Sequence, residues 1–125
     1  MPLFARVAVN FLYKLIVFPS ILYGGTLLFP EYVFWGSWLV IACLAGLFLV
    51  IGLVADETIL PLFGNVKSTV MGFVFMTGVI WLVPLLFQPT CVTLMGALIV
   101  GGMLGLAELI MHQWILQQRK INLAG

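Results

Sequence analysis

Four long apolar runs separated by three polar links organise this sequence, covering about 11–29, 33–54, 68–87 and 91–116. Each run is close to the roughly 20 apolar residues that a helix needs to cross a bilayer. Pro30-Glu31-Tyr32 and Gln88-Pro89-Thr90 are short links. They leave room only for tight reversals, so helices one and two, and helices three and four, should be antiparallel neighbours. Ala55–Lys67 is the one long link. Its Ile59–Phe63 stretch is apolar but too short to cross, and Pro61 within it and Gly64-Asn65 after it predict a turn lying in the interface. Asn65 or Ser68 then stands where a helix cap is needed. The expected fold class is all-α: a single domain over 1–125 forming an antiparallel bundle of four transmembrane helices.

Within the runs, the polar and small positions are ordered. The first run carries Lys14, Pro19 and a Tyr23-Gly24-Gly25 break; it has no A-x-A-like site and reads as an uncleaved first helix. Proline removes a backbone donor and kinks a helix. Tyr32, Trp35 and Trp38 cluster at the start of the second run, as aromatic belts do at headgroup level. Ala42 and Gly46 are one helical turn apart and predict a close-packing face. The fourth run is the most informative. At about 100° per residue, Ala97, Gly101, Gly105, Glu108, His112 and Arg119 fall on one stripe, small at one end and ionisable at the other. Small residues admit a neighbouring helix closely, and ionisable groups on that stripe would face the neighbour and not lipid. This helix should run on to Arg119, beyond the hydrocarbon core, with the chain fraying from Ile121.

Composition strengthens the membrane reading. Of 125 residues, 64% are hydrophobic and 7% charged, with mean hydropathy +1.27. A soluble domain has roughly 25% charged residues, so the lipid bilayer is the expected partner. The formal net charge of +1 gives no pull towards nucleic acid. Arg6, Lys14, Lys67, Arg119 and Lys120 all fall on the side of the N-terminus, the long link and the C-terminus, and the two short links hold no basic residue. That asymmetry predicts a multi-pass protein of the cell membrane with both termini cytoplasmic. Cys43 and Cys91 lie in apolar contexts without metal-type spacing and read as packing residues.

The candidate chemistry gathers on the predicted cytoplasmic side. Lys14, Asp56, Glu57, Asn65, Glu108 and His112 form a candidate polar cluster, and Ala42, Gly46, Ala97, Gly101 and Gly105 are candidate packing positions. Lys14 or Lys67 is the nearest expected partner for Asp56 and Glu57. An i,i+4 Glu–His pair is able to fix helix packing, relay a proton or ligate a metal. A metal needs at least three of Asp56, Glu57, Glu108 and His112 to converge. No serine nucleophile, phosphate loop or nucleotide motif is present, so neither an enzyme nor a cofactor is expected. Two alternatives carry a function: a small transporter or channel for an ion or small solute, which at this size requires a homo-oligomer, and a membrane module binding a metal or a lipid headgroup.

The segment Asp56-x-x-Ile59-Leu60-Pro61-x-Phe63-Gly64-Asn65, followed by Thr69, Phe73, Trp81 and Glu108-x-x-x-His112, resembles the YndM-like family, with Lys14 also fitting. These are small integral membrane proteins of endospore-forming Gram-positive bacteria, of unknown function. The resemblance implies a four-helix membrane protein and no particular activity.

Overall fold

The computed structural model describes residues 2–87 and 90–124, with side chains as far as residue 121. Gln88 and Pro89 of the second short link lie outside the described residues. The described chain is all-α apart from one short pairing of links. Helix α1 is Leu3–Leu28, α2 is Trp38–Leu82 and α3 is Leu94–Ala124. Strand β1 (Val33–Phe34) pairs antiparallel with β2 (Cys91–Val92), and Val83–Leu86 tighten into a 3-10 turn. Among the described residues, three helices are long and apolar enough to cross a membrane.

Several boundaries differ from the expectation. The four separate runs become three helices, because α2 runs through the link expected to be a turn in the interface. Ile59–Phe63 is helical, and only Gly64, at φ 83° and ψ 176°, leaves helical geometry. That positive φ suits glycine, which has no Cβ to clash. A continuous helix would hold Phe48 and Phe75 roughly 40 Å apart. Their ring centroids are 6.3 Å apart, so α2 folds back on itself at Gly64. Helix α1 starts at Leu3 and passes through Pro19 and Gly24-Gly25 without ending. Helix α3 begins at Leu94 and continues through Ile121 to Ala124, where fraying was expected.

At the end holding the short links, a loop replaces the expected start of the second helix at Val33. Trp35 Nε1 donates to the Leu22 carbonyl at 2.7 Å, and Thr93 N donates to the Tyr32 carbonyl at 3.0 Å. The indole therefore serves as a buried anchor on α1. Helix α2 starts only after Gly36, with the Ser37 hydroxyl accepting from Leu39 N.

The buried positions of α1 are Arg6, Asn10, Lys14, Phe18, Leu22 and Gly25, a regular one-turn spacing. Its N-terminal half buries polar groups while Phe4, Leu12 and Ile16 face outward. This inverted amphipathicity suits a hydrocarbon solvent, in which polar side chains must find partners inside the protein. An apolar core of Phe18, Leu22, Leu44, Phe48, Ile80 and Leu104 fills the half nearer the short links. A smaller cluster of Leu60, Met111 and Ile115 closes the other end. Between them lies a polar layer.

Candidate functional site

One face of each helix supplies that layer. Lys14 comes from α1, Asp56 from the first limb of α2, and Glu108 and His112 from successive turns of α3. Lys14 Nζ lies 2.8 Å from Asp56 Oδ2 and 2.6 Å from Glu108 Oε1. His112 Nε2 lies 2.9 Å from Asp56 Oδ1 and 3.0 Å from Glu108 Oε2. The four side chains thus close a ring in which cationic and anionic groups alternate. Their side-chain exposure runs only from 0% to 8%. Isolated charges at that depth are costly, and alternating pairs remove most of the cost.

Hydrogen bonds with Asn10, Asn65 and Thr69 orient the ring. Asn10 Nδ2 donates to Asp56 Oδ2 at 2.8 Å. Asn65 Nδ2 donates to the Leu109 carbonyl at 3.3 Å, which turns Asn65 Oδ1 towards His112 Nδ1 at 3.2 Å. Asn65 is therefore a tie from the Gly64 bend to α3, and not the helix cap expected from sequence. Thr69 Oγ1 lies 3.1 Å from Asn65 Oδ1 and 3.0 Å from His112 Nδ1. When Thr69 donates to Asn65, all four polar neighbours of the imidazole are acceptors, and the doubly protonated ring shares one N–H between each pair. With Lys14, the ring is then electrically neutral. When His112 is neutral, the Thr69 hydroxyl can rotate and donate to Nδ1. One hydroxyl therefore serves both protonation states.

Glu57 is not in the ring, although it was expected in the cluster. One residue beyond Asp56, it turns to another face of α2, where Arg6 grips it at 3.1 and 2.7 Å and Arg119 at 2.9 Å. Lys67, an expected partner of the acidic pair, is exposed and forms no ion pair among the described residues. The arginines match the carboxylate with a planar fork, which lysine lacks. Arg6, Asn10 and Thr69 were not counted in the cluster from sequence. The i,i+4 series Arg6, Asn10, Lys14 was the available signal. Tyr13 adds a further tie, its hydroxyl donating to the Ala107 carbonyl at 2.8 Å.

The packing positions divide. Ala97, Gly101 and Gly105 are buried on the stripe with Glu108 and His112. A Cβ on Gly101 would collide with Thr77 of α2, so the two helices pack closely there. Ala42 and Gly46 are exposed, and a Cβ on Gly46 would meet nothing within 4 Å. They lie on the outer face of α2, and Val40, Leu44, Ala45 and Phe48 make the inner one. Cys43 and Cys91 are likewise exposed, not packed as expected.

Asp56, Glu108 and His112 each bring a donor atom within 4.8 Å of the others, meeting the convergence that a metal would require, without Glu57. The donors are not free, however. Lys14 takes one oxygen of each carboxylate and His112 the other, so an ion would have to displace an ammonium already paired at 2.6 and 2.8 Å. The arrangement fits an internally balanced ring better than a resident metal.

The model of a family described as "Protein of unknown function (DUF2512)" matches residues 5–122. The chain belongs to that family. The match reaches across all three helices, further than the Asp56–His112 segment that carried the resemblance in sequence. No curated protein matches the chain, and no solved structure matches it. Membership in DUF2512 thus brings no activity with it, and the ring must be read from its own chemistry.

Proposed function

We propose that this chain is a non-enzymatic, multi-pass protein of the cell membrane that exchanges a proton at His112 as part of moving an ion or small solute. The observation that carries the reading is the closed ring of Lys14, Asp56, His112 and Glu108, with Thr69 placed to satisfy either protonation state of the imidazole. Buried ionisable groups within membrane helices are costly and commonly mark proton or ion pathways. Histidine is the side chain whose charge changes most readily near neutral pH. Four crossings follow if the two limbs of α2 are separate spans. A 45-residue helix is roughly 67 Å long, more than twice the hydrocarbon core of about 30 Å. The basic residues then put both termini and the Gly64 bend in the cytoplasm, with the ring near that side. Within the family, we group the chain with the YndM-like proteins of endospore-forming Gram-positive bacteria.

Reconstitution tests the reading. Proteoliposomes with an internal pH dye, and with valinomycin and potassium to carry the compensating charge, should dissipate an imposed pH gradient. H112N and E108Q should not. Wild-type flux no greater than that of empty liposomes would overturn it.

A further inference from the structure

A cavity of about 260 Å³ lies between the two limbs of α2 and reaches the ring. Phe18, Phe48 and Phe75 form much of its apolar wall, and Asp56, Glu108 and His112 border its polar end. Ser68 also lines it. This side chain is only 8% exposed, and its Oγ has no hydrogen-bond partner. A buried hydroxyl without a partner is unfavourable, and the ring makes no use of this one.

The walls select by charge. An acyl chain would leave the Ser68 hydroxyl and the carboxylate edges facing hydrocarbon. An anion would meet two carboxylates. A cation with an apolar body suits every wall, because aromatic faces attract cations as well as apolar groups. The protein already displays that pairing, for Lys14 Nζ lies 5.3 Å from the centre of the Phe18 ring. Charge counting gives the occasion for entry. Two carboxylates face one permanent cation, Lys14 of α1. The second positive charge comes from His112 when it is protonated, or from a bound cation when it is not. The other groups facing His112, Asn65 and Thr69 of α2, are uncharged.

We propose that this cavity binds a hydrophobic organic cation, with its apolar body against the phenylalanines and its charged head beside Ser68, facing the cavity edges of Asp56 and Glu108 without displacing Lys14. The proposal rests on the reading of the ring as a proton-exchange site.

Calorimetry on the full chain in nanodiscs tests it, at a pH high enough to leave His112 neutral, with benzyltrimethylammonium as probe and benzyl alcohol and benzoate as neutral and anionic controls. The cation should bind saturably, one per chain, about tenfold more tightly than benzyl alcohol. Benzoate should not bind. Gly72→Phe fills the cavity from the second limb of α2 and Ala55→Leu from the first; either variant, once its helical content matches wild type, should abolish binding. Equal affinity for benzyl alcohol, or binding that survives in a folded cavity-filled variant, would overturn the proposal. Proton flux that depends on His112 without cation binding removes this inference alone. Cation binding without flux removes the proton reading alone.

Discussion

Lys14 on α1 and His112 on α3 are joined through the same two carboxylates. Asp56 and Glu108 each turn one oxygen to the lysine and the other to the imidazole. Three helices are locked together by this arrangement, so removing Lys14 leaves two buried carboxylates without their permanent cation.

Lys14→Met should therefore be severe. Deleting one partner of a buried pair costs about 3–5 kcal/mol. Lys67→Met, at an exposed position, should stay within about 0.5 kcal/mol. The double variant Lys14→Met/Glu108→Gln removes one charge of each sign and should be less destabilised than the sum of its singles. Denaturation in detergent followed by circular dichroism measures the wild type and each of these variants. Strict additivity would show that the two residues are not coupled.

Gly101 and Gly102 separate the packed from the open face of α3. A Cβ at Gly101 meets Thr77, while one at Gly102 meets nothing within 4 Å. Gly101→Leu should cost about 1–3 kcal/mol through overpacking. Gly102→Leu should cost little. Equal losses in thermal melts would show that the stripe has been placed on the wrong face.

Gly64 is the bend on which the fold-back of α2 depends. Gly64→Val would force a β-branched side chain into positive φ, at about 1–3 kcal/mol. Gly78→Ala, in the helix with open space around it, should be neutral or stabilising. If α2 makes two crossings, cysteines placed at Glu31 and Asn65 label from opposite sides of the membrane. Labelling of both from the same side would refute that topology.

Metal content distinguishes the balanced ring from a metal centre. Protein purified without chelator should carry well under one equivalent of any divalent ion by elemental analysis, and added zinc should leave the melting temperature of wild type unchanged. Lys14→Ala opens both carboxylates to solvent or an ion, and zinc should raise the melting temperature of that variant if it folds. Stoichiometric metal in the wild type would show that Lys14 is not the resident cation.

The long apolar helices and the outline of the site were legible in the sequence because they depend on local pattern. Apolar runs of sufficient length are counted along the chain, and the shared stripe of Gly101, Gly105, Glu108 and His112 follows from helical periodicity. The start of α2 was misplaced because β-pairing between Val33–Phe34 and Cys91–Val92 joins segments far apart in the chain, which no local pattern reveals. Ala42 and Gly46 form a small-residue face as regular as that of α3, yet they point outward. Residue size permits close packing but does not choose the neighbour.

What the sequence by itself determined is that the chain would form long apolar helices and that its few ionisable groups would need partners within it. What only the tertiary structure decided is who those partners are. Asp56 and Glu57 are adjacent, chemically alike and indistinguishable by composition. The rotation of α2 turns Asp56 inward to Lys14 and His112 and Glu57 to Arg6 and Arg119. Successive residues on a helix point about 100° apart, so each faces a different neighbour, and which neighbour stands there depends on how the three helices pack.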